Sequence, residues 1–331
     1  MNIKDREEKI ADIIREYSKG GGDPNWINNE ENGDNVFKRS FTAIQDYTAD
    51  SDLALWYLSF SQSFGRSMGP MLRKMAEMCT SGEKELITLE KDFPQGCPYS
   101  KRKEEVIKSI LGIKFNKYES NKEIIKEIKK RYRSEKFYHE GEWCRQEAFE
   151  KCEYRNECPV NEWKKLINEF KLPNRKEPRV FFYYDTLCLL NNAEISSFNE
   201  LFSKINALTE NKTRRTIIIR SLLEQIRGIS TKARMFLQVK NLSGDIDLDD
   251  FELIFVDVHV VRVAERMDFP FYENDLVEAI RKFGKDYNLT ARQIDVALWE
   301  MGFVCTANGC LHGVDEKKCI FHDVCSYEGK Q

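Results

Sequence analysis

The stretch TRRTIIIRSLLEQI (213–226), followed by RGISTK (227–232) and ARMFLQVK (233–240), predicts two helices joined by a short turn. Apolar residues recur at helical spacing in the two outer segments, and Gly228 lies in the turn between them. The N-terminus of the second helix would present backbone N–H groups that have no intrahelical partner, and the helix dipole adds positive potential there. The turn therefore predicts a phosphate-binding site, flanked by Arg227 and Arg234.

Helical patterns also dominate the rest of the chain. Helices are predicted at residues 5–17, 52–78, 104–113, 121–133, 197–205, 275–283 and 290–301, the last opened by a Thr290 cap. The best strand candidate, residues 179–184, fits a buried turn of helix equally well. We therefore expect a mostly α fold with two helical lobes, a loop at 20–35 and a hinge at 172–178.

The composition is that of a globular protein, with 331 residues of which 32% are charged. The apolar runs are far too short to span a bilayer, and the N-terminal residues lack an apolar signal region. We therefore expect a monomer with no membrane partner. We also expect it in the cytoplasm, associated with the nucleoid, or in the nucleus, and not as a secreted protein.

The formal net charge of −3 conceals basic segments. Residues 101–136 hold 13 Lys and Arg against 6 Glu, and residues 212–234 hold 7 against one, Glu224. Local basic faces matter more for phosphate binding than the total charge. A solvated helix face and a DNA contact are both open interpretations of residues 101–136.

The cysteines favour metal ligation, because a chain without an export signal keeps its thiols reduced. Cys305, Cys310, Cys319 and Cys325 follow the pattern Cys-x4-Cys-x8-Cys-x5-Cys, which suits zinc or a [4Fe–4S] cluster, and the spacing alone does not choose. A second set is open between a metal site and ordinary buried thiols. Its members are Cys144, Cys152 and Cys158, with Cys97 or His139 as a fourth ligand.

Two motifs carry a family resemblance. GISTK (228–232) resembles the hairpin Gly-Val-Gly-x-Lys of the helix–hairpin–helix DNA glycosylase superfamily, and VDVH (256–259) is similar to its Val-Asp-x-His. The sequences of these two motifs are most similar to those of the 8-oxoguanine glycosylase branch, whereas the C-terminal cysteines resemble those of the endonuclease III and adenine glycosylase branches. Ser230 replaces the second glycine, Arg227 replaces a proline, and the first cysteine gaps are four and eight instead of six and two.

The resemblance, which covers only about 100–130 C-terminal residues, implies a role for each matching residue. Lys232 and Asp257 would be catalytic, and the four C-terminal cysteines would hold a [4Fe–4S] cluster, with zinc as the alternative. The DNA-binding residues would be Arg227, Gly228, Ser230, Thr231, Arg234 and His259. The expected organisation is an unmatched helical lobe (1–172), a helix–hairpin–helix region (173–301) and a cluster loop (302–331).

The implied function is base excision repair of double-stranded DNA that contains a lesion or mismatch, by a DNA glycosylase with AP lyase activity. A monofunctional glycosylase, in which Lys232 only contacts phosphate, is one alternative; a non-catalytic iron–sulfur DNA-binding protein is another. Further DNA contacts are expected from the loop that holds His312, Lys317 and Lys318. Candidates for reading a flipped base are Trp56, Gln62, Phe64, Tyr184 and Asp185.

Overall fold

The computed structural model describes residues 3–19, 56, 97–132, 149–158, 160–161, 164, 177–190, 195–242, 244–269, 275–302, 304–314 and 318–327. Ten α-helices account for most of these residues, which confirms the mostly α class. They are α1 (Ile3–Lys19), α2 (Pro98–Leu111), α3 (Asn121–Tyr132), α4 (Glu177–Leu190), α5 (Phe198–Leu208), α6 (Lys212–Leu223), α7 (Ala233–Leu242), α8 (Val258–Met267), α9 (Leu276–Asp286) and α10 (Ala291–Met301). Two short strands, β1 (Cys305–Thr306) and β2 (Gly309–Cys310), form an antiparallel pair.

The chain divides into two units, and this grouping differs from the three consecutive segments predicted from sequence. Unit 1 comprises residues 1–33 and 250–331, and unit 2 comprises residues 34–249. The predicted segments are functional assignments and stay predictions. The predicted loop at 20–35, the predicted helix at 52–78 apart from Trp56, and residues 172–176 of the predicted hinge lie outside the described residues.

Unit 1 packs α1 together with α8, α9, α10 and the C-terminal segment around one apolar core. Ile10 and Ile14 of α1 are fully buried with Val260, Ile294 and Phe321 in this core. The guanidinium of Arg6 also donates to the backbone oxygens of Met267 and Val324, at 2.7 and 2.8 Å. The first helix of the chain is therefore part of the unit that carries the C-terminal cysteines.

Unit 2 contains α2 to α7, and α3 shows why its sequence is helical. Ile124, Ile128 and Tyr132 follow one another at four-residue spacing and are all buried. The opposite face carries Lys122 and Lys126, which are exposed. This division into a buried stripe and a solvated stripe is the 3.6-residue period expected of an amphipathic helix.

The segment 179–184 lies within α4, so its helical interpretation is confirmed and the strand interpretation is wrong. Among the side chains described in α4, Phe181, Phe182, Tyr184, Asp185 and Cys188 are all buried. The apolar run in this helix has no alternation of apolar and polar positions at helical spacing for the sequence to reveal. A continuous apolar run of this length is therefore equally compatible with a strand.

The helix starts follow local capping chemistry. Thr290 accepts from the backbone N–H of Gln293, and the side chain of Gln293 accepts from the backbone N–H of Thr290, a complete capping box. The predicted cap at Thr290 is thus confirmed. Within the part of the chain that the structure describes, no helix combines the length and the apolarity needed to cross a membrane.

Candidate functional site

The turn between α6 and α7 contains two residues with left-handed backbone angles. Gly228 has a φ of 90° and Ser230 a φ of 48°. Left-handed angles cost an L-residue roughly 1–2 kcal/mol, whereas glycine adopts them freely. Ser230 stands where the resemblance has its second glycine, and it retains the kind of backbone angle that a glycine serves.

Lys232 ends a single 3-10 turn, Ser230–Lys232, and α7 begins at the next residue. The backbone N–H of Lys232 donates to Ile229 O at 3.0 Å. Ile229 and Ala233 are fully buried, whereas Ser230 is exposed and Lys232 is half-buried. Apolar burial on both sides therefore anchors the backbone that carries the lysine, and the outer edge of the turn faces solvent.

Arg227 is bound to Asp185 of α4 rather than extended from the turn. Its backbone N–H, Nε and NH2 donate to the Asp185 carboxylate at 3.0, 2.9 and 2.8 Å. The Asp185 side chain is 0% exposed and that of Arg227 12%, and the guanidinium lies 4.5 Å from the ring centroid of Phe181. Burial works to lower the pKa of Arg227, but the charge and hydrogen bonds of Asp185 raise it above the ordinary value. This geometry favours positioning of the turn over direct phosphate contact by Arg227.

Other basic side chains in residues 212–234 are also held by partners within unit 2. Arg234 Nε lies 2.7 Å from Glu224 Oε1, and Arg220 Nε lies 3.9 Å from the same oxygen. The remaining contacts join Lys212 and Arg215 to Asp247, and Arg214 to the backbone oxygen of Tyr118. The basic excess in this stretch of sequence is therefore largely neutralised in space. DNA binding by Arg234, and by the turn residues Gly228, Ser230 and Thr231, stays a prediction.

Asp257 is the N-cap of α8, and its two carboxylate oxygens have different partners. Oδ1 accepts from the backbone N–H groups of His259 and Val260 at 2.8 and 3.1 Å. Oδ2 accepts from the indole Nε1–H of Trp299 at 3.2 Å. Three donors and the positive end of the helix dipole thus hold the carboxylate in one place as a fixed anion.

Trp299 is a functional candidate that sequence reasoning missed. Its contact with Asp257 joins residues 42 positions apart, from different helices. No local spacing relates the two residues, and an aromatic side chain on an amphipathic helix is usually a core residue. The signal becomes visible only when α8 and α10 are packed together.

His259 lies beside Asp257 but packs against the end of α10. A Cβ added at Gly302 would be 2.4 Å from the His259 Cβ, so the two backbones approach closely there. The backbone N–H of His259, rather than its ring, is the group seen to bind Asp257. DNA contact by His259 stays a prediction.

The C-terminal cysteines lie around the β-hairpin and one 3-10 turn. Cys305 and Cys310 are partners across the β1–β2 pair, and Cys319 and Cys325 flank the turn His322–Val324. Burial first, and then the other three cysteines, raise the pKa of the Cys319 thiol to about 11, against a lowering hydrogen bond from the backbone of Phe321. The four predicted ligands are therefore within electrostatic reach of one another.

Two N–H groups approach sulfur atoms of this C-terminal group. Arg266 NH1 donates to the Cys305 sulfur at 3.2 Å, and the His312 backbone N–H approaches the Cys310 sulfur at 3.5 Å. Hydrogen bonds to sulfur are the means by which proteins support metal-bound thiolates. As the described side chains stand, however, no group of three or more His, Cys, Asp or Glu residues could hold a metal ion. Of the predicted DNA-contacting loop, His312 and Lys318 are described and Lys317 is not.

The second cysteine set is described in part. Cys97 and Cys152 are partly exposed and Cys158 is buried, all in unit 2, whereas Cys144 and His139 lie outside the described residues. Cys188 of α4 is 3% exposed and belongs to the core of unit 2.

The residues predicted to read a flipped base are placed in the interior of unit 2 where they are described. Trp56 is fully buried, donates from Nε1 to the Thr186 hydroxyl at 3.0 Å and packs against Phe236. Tyr184 is 1% exposed. These placements favour core roles, and Gln62 and Phe64 lie outside the described residues.

Lys232 thus belongs to unit 2 and Asp257 to unit 1, each on a backbone fixed by its own unit. The resemblance that links them rests on the two motifs and on the local geometry just given. No protein-family model, curated protein or solved structure matches this chain.

Proposed function

We propose that this protein is a DNA glycosylase with AP lyase activity, which removes a damaged or mismatched base from double-stranded DNA. The observation that supports it most directly is the turn before α7. Gly228 and Ser230 both adopt left-handed angles there, and Lys232 follows at the spacing of the glycosylase hairpin motif. The sequence pattern is thus accompanied by the backbone conformation that its glycines would serve.

Asp257 supplies the stabilising anion in this proposal. Cleavage of an N-glycosidic bond builds positive charge on the deoxyribose, and a fixed carboxylate lowers the free energy of that charge. Three N–H donors hold the Asp257 carboxylate in place, so it needs no reorganisation when the charge develops. An asparagine at this position keeps the shape but loses the charge.

Lys232 supplies the nucleophile. Its neutral amine attacks C1′ and the base departs with the bonding electrons. Cleavage of the C1′–O4′ bond then opens the sugar, with O4′ taking up the amine proton, and leaves a Schiff base between Nζ and C1′. Removal of a C2′ proton expels the 3′ phosphate by β-elimination, and hydrolysis frees the lysine. The C-terminal thiolates would hold a [4Fe–4S] cluster, or zinc, that stabilises the surrounding loop.

A basic face of unit 2 supports the DNA partner. Lys122, Lys126, Lys129 and Lys130 of α3 are exposed and lie on one side of the helix, opposite its buried residues. These four lysines of α3 therefore stay at the surface, unlike most of the basic side chains of residues 212–234. A row of exposed lysines suits the phosphate backbone and carries no base specificity.

Borohydride trapping on a panel of lesion-containing duplexes tests the nucleophile. Wild-type protein should give a covalent adduct and a nicked strand, whereas Lys232→Gln should give neither. Lys204→Gln, a half-buried lysine of α5 in the same unit, is the matched control and should trap like wild type. Base excision by wild type without any trapped adduct would favour the monofunctional alternative.

The aspartate is tested by Asp257→Asn against Asp275→Asn. Asp275 caps α9 through the backbone N–H groups of Val277 and Glu278, so both substitutions perturb one N-cap in unit 1. Asp257→Asn should lower base excision by about a hundredfold or more, and Asp275→Asn should not. Equal activity in the two variants would remove Asp257 from the mechanism. DNA binding without cleavage of any lesion would favour the non-catalytic alternative.

A further inference from the structure

A short segment of unit 1, residues 250–257, leads into α8 and carries Asp257 as its last residue. The segment begins with a 3-10 turn, Asp250–Leu253, and its last four residues belong to no helix or strand. Ile254 is fully buried and Phe255 is 6% exposed. Because such a segment has no regular hydrogen-bond ladder of its own, its buried backbone groups need partners elsewhere in unit 1.

Two residues of α10 bind the end of this segment that lies next to α8. The backbone N–H of Phe255 donates to Asp295 Oδ2 at 3.3 Å. The indole Nε1–H of Trp299 donates to Asp257 Oδ2 at 3.2 Å. Asp295 and Trp299 are four positions apart, so they lie on the same face of α10. Two alternate residues of the segment thus contact successive turns of one helix.

The start of the segment is bound to the same helix. The backbone N–H of Arg292, in the first turn of α10, donates to Asp250 Oδ2 at 3.1 Å. Arg292, Asp295 and Trp299 follow one another at i, i+3 and i+7, which is one stripe of a helix. The position of the Asp257 carboxylate therefore depends on the register between the segment and this stripe of α10.

Asp295 is a charged residue in the interior of unit 1, where it is 6% exposed. Ile294, Ala297 and Leu298 of the same helix are fully buried. Burial of a carboxylate is costly unless the group is hydrogen-bonded, and an apolar residue would serve core packing at lower cost. The carboxylate of Asp295 instead binds the backbone two residues before Asp257, which gives it a use in placing that backbone.

We propose that Asp295 is a positioning residue for Asp257. By binding the backbone of Phe255, it holds the segment in the register at which the indole of Trp299 reaches the Asp257 carboxylate. This inference rests on the proposed function, in which the carboxylate must lie at a fixed place beside the deoxyribose. Misplacement of a catalytic group by about 1 Å can slow a reaction about a hundredfold, so a hydrogen bond that fixes the backbone affects the rate without contact with DNA.

Two substitutions of Asp295 test the hydrogen bond. Asp295→Ala removes the acceptor and should slow single-turnover base excision by about tenfold to a hundredfold, with little change in DNA affinity. Asp295→Asn keeps an oxygen acceptor on a side chain of the same shape, so it should retain most of the wild-type rate. An Asp295→Asn protein that folds but excises as slowly as Asp257→Asn would overturn the proposal, whether or not Asp295→Ala folds.

Tyr17→Phe is the matched control for these variants. The hydroxyl of Tyr17 binds Glu300 of α10, so this substitution removes a polar contact of the same helix with α1 rather than with residues 250–257. Tyr17→Phe should excise at the wild-type rate. Equal slowing in Tyr17→Phe and Asp295→Ala would show that excision follows the general stability of α10, and the positioning role of Asp295 would be lost.

Hydrogen exchange of the Trp299 indole N–H tests the register without any activity. The full-length chain is labelled with ¹⁵N-tryptophan, and the signal of Trp299 is identified by its absence in Trp299→Phe. Exchange should be at least about tenfold faster in Asp295→Ala than in wild type, and unchanged in Asp295→Asn and Tyr17→Phe. Wild-type exchange in folded Asp295→Ala would overturn the proposal. If wild-type protein excises no base from any lesion, the proposed function fails, whereas this measurement still decides what holds Asp257.

Discussion

The two cysteine groups of this protein are alike in sequence and differ in what surrounds them. Each ends in Cys-x5-Cys, and in each group partial or full burial raises the pKa of one thiol, Cys158 or Cys319, to about 11. In the C-terminal group Cys305 contacts two arginines of α8, whereas in unit 2 Cys158 packs in an apolar cluster that includes Phe181 and Tyr184 of α4. Arginine side chains thus contact the C-terminal group, and apolar side chains contact the group of unit 2.

The residues that contact each cysteine group also neighbour one of the two candidate catalytic residues. α8 meets Cys305 through Arg262 and Arg266 near its C-terminus, and Asp257 caps its N-terminus. In unit 2, Cys158 packs with Phe181 and Tyr184, which lie beneath the Arg227 guanidinium at the start of the turn leading to Lys232. We infer that each group stabilises the element that carries one of the two proposed catalytic residues. Mutations that destabilise the element of one unit should then leave the element of the other unit unaffected.

The largest effect is expected from breaking the Asp185–Arg227 pair in unit 2. Asp185→Ala leaves a buried guanidinium without its counter-charge, which should cost about 3–5 kcal/mol in the free energy of unfolding. Urea denaturation measures this loss. Replacing both partners, as Asp185→Leu with Arg227→Met, should recover much of it, because an apolar pair of similar volume needs no desolvated charge.

Asp247→Asn is the matched control for that prediction. Asp247 also pairs with two basic side chains of α6, Lys212 and Arg215, but its side chain is 70% exposed. Exposed ion pairs contribute at most about 1 kcal/mol. Equal losses for Asp185→Ala and Asp247→Asn would mean that the turn does not depend on the buried pair.

In unit 1, the corresponding destabilising substitution is Gly302→Ala. The added Cβ would lie 2.4 Å from His259 Cβ, so α8 and the end of α10 must separate, at about 1–3 kcal/mol. Arg262 donates to Cys305 O at 2.8 Å beside this contact, so retention of the metal proposed for the C-terminal group should fall with stability. Gly112→Ala in unit 2, whose nearest atom would be 3.3 Å away, should cost less. Unchanged stability in Gly302→Ala would contradict the close packing.

Helix positions and caps were predictable because they depend on neighbours in sequence. Thr290 and Gln293 are three residues apart, and their capping box follows from that spacing alone. α4 was ambiguous because its continuous apolar run shows no helical period. The grouping of α1 with the C-terminal segment was not predictable, since it depends on long-range contacts such as that of Arg6 with Val324.

The ion pairs near the candidate site also depend on contacts between distant residues, which the sequence does not reveal. Residues 212–234 are basic in sequence, but Asp185 and Asp247, which lie outside that segment, bind Arg227 and Arg215. Residues 101–136 have a similar excess that the fold leaves exposed on α3. Sequence therefore located the charges, and only the packing shows which of them face solvent.

The substitution Trp299→Phe tests the role of Asp257 separately, because it changes a hydrogen bond to Asp257 and neither cysteine group. It removes the indole N–H that donates to Oδ2, while both backbone donors to Oδ1 remain. A hydrogen bond to a charged group contributes about 1.5 kcal/mol, so single-turnover base excision should slow about tenfold with little change in DNA affinity. Tyr287→Phe, which removes a 2.9 Å hydrogen bond to Glu7 in the same unit, should leave excision unchanged. If both variants excise at the wild-type rate, Trp299 is a packing residue only.

The smallest effect, and one of opposite sign, is expected at the turn of unit 2. Ser230 has a φ of 48°, so Ser230→Gly should relieve strain and raise the free energy of unfolding by about 0.5–1 kcal/mol, after the entropy that glycine costs. Asn288→Gly provides the comparison in unit 1, where φ is 52°. Asparagine tolerates this region better than serine does, so its gain should be smaller. A loss of stability in Ser230→Gly would show that the serine side chain, rather than the backbone angle, determines the residue at this position. The turn would then differ from the glycosylase hairpin in the requirement for a left-handed backbone angle, which is the feature on which the likeness depends.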